Sequence, residues 1–471
     1  MTRHAAVLCG ALLLVLPAGG AAQTETPAAD RRLARDIFRE LIEINTTDSL
    51  GNTPRAARAM AQRLLAAGFP AADVRVLIGP DAKHGNLVAR YRGTGGGRPI
   101  VVFAHLDVVP ARRADWSVDP FTLLEKDGYF YGRGTTDDKV GDAILVADFI
   151  RLKQAGFKPR RDLILVLTGD EETAGSCIAW LVAKHRDLID ADFALNTDAG
   201  GGVLRDGQRV MFVVQASEKV YATYVLEATD KGGHSSLPRP ADNPVYRLAP
   251  VLERLAQYQF PVKLNEVSRA FFERSAALET GALAEDLAGV LKDPPDSAAV
   301  ARLSAVPFYN SKLRTTCVAT MMEAGHAENA LPQSARVTVN CRILPGEPAS
   351  EVEATLRRLA ADDRIALRAV YAPVPSPPSP LTPAIMGPIE RLVAEQFPHV
   401  PIVPVMEAGA TDGLFLRNAG IPTYGVSAVF EEQNDVRAHG RDERLRVQSF
   451  YEALEFWYRM MRAYAGESEH G

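Results

Sequence analysis

Leu33, Ile37, Phe38, Leu41 and Ile42 recur three and four residues apart, the spacing that lines one face of a helix, and predict helix from Arg31. Pro54, a residue suited to a first helical turn, opens a second helix that ends at Gly68. The pattern then changes to short apolar runs, NLVARY, PIVVFAHLDVV and DLILVLTGDEE, which predict strands. Between the last two lie YFYGRGTTDDK and a helix from about Val140 to Gln154. Strands alternating with helices predict an α/β domain built on a largely parallel sheet.

Near Ser217 the pattern changes again. Val220 to Thr229 reads as a strand, KGGHSS as a tight loop, and Asp242 to Tyr258 as a helix entered through Asn243-Pro244. Phe260 to Ala305 is helical and irregular, TTCVATMMEAG and ARVTVNCRILPG are strands, and Glu351 to Ala360 is a further helix. The stretch VYAPVPSPPSPLTP holds too many prolines for a helix or a central strand and predicts a stiff extended crossing. The α/β pattern resumes through GATDG and IPTYGVS to a C-terminal helix. The expected organisation is a first part over 23–217, an inserted domain over 218–376 and a second part of the same catalytic domain over 377–471.

Composition narrows the class. With 471 residues, 47% of them hydrophobic and 24% charged, the chain has the make-up of a globular protein with more than one core. The net charge is -5 and no basic block follows a phosphate backbone, so nucleic acid is not an expected partner. Arg3, an apolar run from about Ala5 to Pro17, and small residues ending near Ala22 have the layout of a cleaved export signal over 1–22. The run is too short to span a bilayer with ease, so periplasmic or secreted localisation is expected and no other membrane attachment. Cys177, Cys317 and Cys341 remain after such cleavage. An odd count builds no disulfide framework, and Cys317 and Cys341 are read as ordinary buried thiols that pair only if their strands lie together.

The chemistry-bearing residues fall in five stretches. AHLDVVP holds His105 and Asp107, which share a face if both lie on the strand, so that the carboxylate can orient the imidazole. GRGTTDDK holds Asp137 and Asp138, TGDEETAGS holds Asp170, Glu171 and Glu172, ALNTDAGGG holds Asp198, and DVRAHGRDE holds His439 and Glu443. Imidazoles and carboxylates at the ends of rigid elements are what a hydrolytic metal site requires. Each stretch alone is weak evidence; their combination and order carry the reading.

The ordered series HLD, GRGTTDDK, GDEETAGS, NTDAGG, GGHSSLP, ENALP with NCRILPG, GATDG and AHGRDE resembles the co-catalytic zinc family of acetylornithine deacetylase, succinyl-diaminopimelate desuccinylase, aminoacylase and glutamate carboxypeptidase. It is most similar to secreted or vacuolar members of the carboxypeptidase S type. The resemblance implies an α/β fold: a mostly parallel-sheet zinc-peptidase catalytic domain with an inserted α+β lid or dimerisation domain. It implies two Zn2+ per subunit, with Co2+ or Mn2+ as substitutes, bridged by Asp137. His105 and Asp198 complete one metal site, Glu172 and His439 the other. Glu171 is then the general base, Asp107 the partner of His105, and His234 the donor to the oxyanion. Asn329 and Arg342 are expected on the substrate, with Gly409, Thr411 and Asp412 shaping its loop. Many relatives carry Asp two residues before this Arg, where Asn340 stands here. Asp170 is left to support its turn.

The expected activity is that of a secreted zinc-dependent exopeptidase, a carboxypeptidase or dipeptidase, cutting a C-terminal amide bond. The alternative is an amidohydrolase acting on N-acyl amino acids, and a remoter one is a binding protein that has lost catalysis. Retention of Glu171 speaks against the last. The expected partner is a peptide or N-acyl amino acid with a free carboxylate, and a homodimer through the inserted domain is left open.

Overall fold

The computed structural model describes residues 26–466. The expected export signal lies outside the described residues.

The larger of the two main sheets has ten strands. Leu163–Thr168, Ile100–His105, Phe193–Asn196 and Thr423–Gly425 run parallel at its centre in the spatial order Leu163–Thr168, Ile100–His105, Phe193–Asn196, Thr423–Gly425. All six residues of Ile100–His105 and of Leu163–Thr168 are buried, as expected of strands covered on both faces, and this explains why they read as unbroken apolar runs. Helix Lys139–Gln154 is buried from Lys139 to Leu152 because it packs between helices Ala28–Glu43 and Val447–Ala465 over the sheet. Antiparallel strands flank the parallel core, among them the hairpin Gly201–Arg205 with Gln208–Glu218. Asp206 and Gly207 turn it, both with positive φ (54° and 77°), the left-handed geometry that Asp-Gly supplies to a tight hairpin.

The second sheet has four antiparallel strands in the order Thr316–Ala324, Ser334–Ile343, Val220–Thr229, Ile365–Ala369. Alternation along Ser334–Ile343 puts Ala335, Val337, Val339 and Cys341 under helices Pro244–Gln257 and Ala349–Ala360, and leaves Arg336, Thr338, Asn340 and Arg342 on the opposite face. Cys317 stands opposite Cys341 across two paired strands, and the two are joined by a disulfide. The expectation of two free thiols is therefore corrected: the condition that the strands lie together is met, and only Cys177 is free among the described residues.

Helices Glu266–Leu278, Gly281–Gly289, Ser297–Ser304 and Pro307–Leu313 occupy the irregular helical stretch. Their Phe271, Phe272, Leu287, Leu303 and Leu313 pack with Val403 and Val405 of the large sheet. Residues 218–376 thus divide their packing between the two sheets. The chain leaves the large sheet at Glu218 and enters the small one at Val220, and it returns through the extended proline-rich segment.

Candidate metal centre

Three adjacent parallel strands deliver site residues from their C-terminal ends, the edge of an α/β sheet where ligands bind. His105 closes Ile100–His105, the turn Asp170-Glu171-Glu172 follows Leu163–Thr168, and Asp198 follows Phe193–Asn196. Asp137 precedes helix Lys139–Gln154, and His439 comes from a loop near the C-terminus with φ of 62°.

These pieces converge. His105 Nε2 lies 3.0 Å from Asp137 Oδ1 and 3.6 Å from Asp198 Oδ1. His439 Nε2 lies 3.0 Å from Asp137 Oδ2 and 3.0 Å from Glu172 Oε2. Two ligand triads result, His105 with Asp137 and Asp198, and Asp137 with Glu172 and His439, each with its donor atoms within 4.8 Å of one another. Asp137 is common to both and turns one carboxylate oxygen toward each.

The donor set fits two cations. His105 Nδ1 faces the backbone carbonyl of Asp107 at 3.1 Å, and a carbonyl only accepts, so Nδ1 carries the proton of the neutral ring. The Nε2 lone pair then points at carboxylate oxygens, an arrangement that repels unless a cation or a second proton stands between them. Burial opposes protonation of the ring, but Asp198 and Asp137 outweigh burial and raise His105 well above the usual imidazole range. Hydrogen bonds to Asp137 and Glu172 likewise raise His439 to about 10. Burial works against Asp137, yet its bonds to the two histidines hold it below the usual carboxylate range.

Asp107 behaves differently from the sequence expectation. The strand ends at His105, so strand alternation does not place Asp107, and its carboxylate is 3.7 Å from the ring, farther than its own carbonyl. The carboxylate instead accepts the backbone N–H of Glu171 at 3.1 Å and of Glu172 at 3.0 Å. It holds the turn that presents the candidate base and a candidate ligand. Burial pushes Asp107 up to about 6. Burial, followed by repulsion from Asp198, also raises Glu171 well above the usual carboxylate range. Asp170 accepts from Ser176 N at 2.8 Å and Cys177 N at 2.7 Å, fixing the start of helix Ser176–Lys184.

Two organising residues were not assigned roles from the sequence. Glu443, fully buried, accepts from Gly134 N, Thr136 N and Asp137 N at 3.1, 2.7 and 3.2 Å and pairs with Arg133 Nη1 at 2.5 Å. It shapes the loop that carries Asp137. Asp138 accepts from Thr197 Oγ1 at 2.6 Å, and a Cβ on Gly141 would stand 2.0 Å from that hydroxyl, so Gly141 has to be glycine. The proximity of Glu443 to His439 in AHGRDE was the available signal.

His234 is not gathered with the triads. KGGHSS is more than a loop: Gly233–His234 pairs as a short strand with Ala330–Leu331. Ser236 N donates to His234 Nδ1 at 3.1 Å, so the neutral ring carries its proton on Nε2 and offers it outward. Ser235 N donates to the carbonyl of Asn329 at 3.1 Å, which sets Asn329 beside the His234 turn. Arg342 Nη1 donates to the carbonyl of Ala408, beside Gly409, at 3.2 Å, linking the small sheet to the GATDG loop. Thr411 turns inward and donates to buried Glu218 at 3.0 Å, and Glu218 also pairs with Arg417 at 2.5 Å. Its hydroxyl anchors the loop.

Fold and site together define a metal-dependent hydrolase of the metallopeptidase and amidohydrolase class. The chain belongs to Peptidase family M20/M25/M40, whose pattern matches residues 101–463, and the family binds a dinuclear metal centre. It is 30% identical over 383 residues to the human "N-fatty-acyl-amino acid synthase/hydrolase PM20D1", covering 78% of this chain and 74% of the relative. It is 28% identical over 390 residues to "Probable carboxypeptidase S-like 2" of Dictyostelium discoideum, covering 80% and 74%. The fold matches that of an M20 family metallo-carboxypeptidase, Sso-CP2 from Sulfolobus solfataricus, with TM-score 0.68, 18% identity, and 92% and 99% of the two chains covered. The resemblance read from the ordered motifs is borne out.

Proposed function

We propose that this protein, carrying two zinc ions, hydrolyses an amide bond whose leaving amine is an amino acid with a free α-carboxylate. When bound, the ions would supply Lewis acidity, making water a better acid and polarising the substrate carbonyl. His105, Asp137 and Asp198 would hold one ion, and Asp137, Glu172 and His439 the other. Glu171 takes the proton of the attacking water and returns it to the departing nitrogen. His234 Nε2–H donates to the developing oxyanion once the two sheets close or a partner subunit supplies it. Asn329 and Arg342 hold the substrate end that bears the carboxylate.

The observation that carries the proposal is the division of Asp137, with one oxygen toward each triad and Glu171 beside both. A C-terminal peptide bond, as cut by a carboxypeptidase or dipeptidase, presents the required leaving group. A second reading, hydrolysis of N-acyl amino acids, is favoured by the 30% identity to the human N-fatty-acyl-amino acid enzyme. The disulfide supports an oxidising compartment, and with it export. The edge strand Thr316–Ala324, with Val318, Met321 and Met322 exposed, supports a homodimer through the small sheet. The test is a panel of dipeptides, N-acyl amino acids and their C-terminal carboxamides, run on protein loaded with Zn2+, Co2+ or Mn2+. Cleavage of free acids in preference to carboxamides is expected; equal cleavage, or none, refutes the proposal.

A further inference from the structure

Arg342 lies on the face of the four-stranded sheet opposite the one that packs under helices Pro244–Gln257 and Ala349–Ala360, and Tyr221 and Thr316 stand opposite it on the two neighbouring strands. The guanidinium sits over the Tyr221 ring, 4.5 Å from its centroid. Tyr221 is 44% exposed, so the ring is spread beneath the cation rather than buried in a core. Contact of this kind uses the face of a guanidinium and leaves its N–H edge available.

Little else holds Arg342. Among the described residues its one hydrogen bond is to the carbonyl of Ala408, and it makes no ion pair. The next position along that face of its own strand is Asn340, which is neutral and donates to Thr223 Oγ1 at 3.2 Å. Cations crowd the other side. Burial first, then Lys312 and Arg342, push Lys219 down to about 7 against an opposing pull from Glu347, so positive potential prevails beside Arg342. A guanidinium with a five-donor fork, one donor engaged and no carboxylate neighbour, is built to receive an anion from outside.

We propose that Tyr221 is a specificity-determining residue of this enzyme: its ring fixes the plane of the Arg342 guanidinium so that the N–H edge meets a substrate carboxylate, the work an acidic neighbour does where one is present. The inference rests on the reading of Arg342 as the carboxylate site. An aromatic ring orients the guanidinium without neutralising it, whereas an acid would compete with the substrate for the same donors. The hydroxyl of Tyr221 has no part in this, so a phenyl ring serves equally.

The test uses the metal-loaded full-length chain and the best-cleaved compound among N-acyl-leucines and Xaa-Leu dipeptides, as the free acid and as the C-terminal carboxamide. Tyr221→Leu is expected to raise KM for the acid about five-fold, with kcat and the carboxamide kinetics unchanged. Tyr221→Phe is expected to restore the wild-type KM, and thermal midpoints should stay alike across the set. Equal losses on acid and carboxamide, or failure of Tyr221→Phe to restore KM, would overturn the proposal. Arg342→Ala tests the underlying reading separately. If it leaves the acid-to-carboxamide preference intact, Arg342 is not the carboxylate site and the inference falls with that reading. If it abolishes the preference while Tyr221→Leu does not alter it, the inference alone fails.

Discussion

The side chain of Asp107 accepts the backbone N–H of Glu172 at 3.0 Å, so one carboxylate following the strand Ile100–His105 fixes the main chain of a candidate metal ligand following the neighbouring strand. The other oxygen of Asp107 takes Glu171 N. A carboxamide cannot reproduce this, because its NH2 group would confront one of the two N–H donors. Asp107→Asn is therefore expected to lower kcat about 10- to 100-fold and to reduce the second metal equivalent, measured by steady-state kinetics and metal analysis.

Glu171 bears the burden of proton transfer in the proposed reaction and belongs to neither triad. Glu171→Gln should lower kcat about 10²- to 10⁴-fold while leaving two metals bound per chain. Full activity in metal-loaded Glu171→Gln protein would remove Glu171 from the role of base.

Glu443 illustrates what was and was not legible in the sequence. The central strands announced themselves as unbroken apolar runs, and His105, Asp137, Glu172, Asp198 and His439 were found through their motifs; the structure brings all five together. The pairing of Glu443 with Arg133, and of Glu218 with Arg417, joins residues hundreds of positions apart. No local pattern marks such a pair, because each member looks like an ordinary surface charge until the fold buries it. Asp107 stays beside His105, but its contacts were hidden for a related reason: they depend on where the strand stops, and the apolar run continues through Val108 and Val109 past the last paired residue. The helices of 266–313 gave a helical pattern but no sign of which sheet they cover.

Glu443→Gln follows from the same geometry. Both oxygens of Glu443 already accept from donors, so an amide NH2 must displace at least one and would leave Arg133 as an uncompensated buried charge. The expected cost is about 3 to 5 kcal/mol of stability, read as a lower thermal midpoint, with weaker metal retention through the displaced Asp137 loop.

Asp412 predicts a pH dependence. Burial, followed by the opposing hydrogen bond from Thr168 and repulsion from Asp170, leaves it at about 8 against an ordinary carboxyl value of 3.8. Between those values the folded chain holds a proton that the unfolded chain has released. Its stabilising contribution is complete at acid pH and is lost as pH rises toward 8. Asp412→Asn has no such proton. The thermal midpoint of the wild type minus that of Asp412→Asn should therefore fall steadily from pH 5.5 to 8; a flat difference would show that Asp412 is ionised throughout.

The disulfide between Cys317 and Cys341 makes the last prediction, because it ties the edge strand to the strand that bears Arg342. Cys317 pairs across from Cys341, one position from the Thr316 and Arg342 rung, and the strand beyond it is exposed from Val318 to Ala324. An edge strand with one neighbour has half the ladder bonds of a central strand, so a covalent link there limits fraying where the ladder is weakest. Closing a loop across 24 residues of sequence stabilises by about 3 kcal/mol through the unfolded chain. Cys317→Ser with Cys341→Ser is expected to lower the thermal midpoint by several degrees, and a reducing agent should do the same to the wild type and nothing to the double variant. Because the candidate metal triads lie on the other sheet, kcat at room temperature should survive in both cases while KM for free-acid substrates rises. A loss of kcat instead would mean that the edge strand takes part in forming the catalytic arrangement itself.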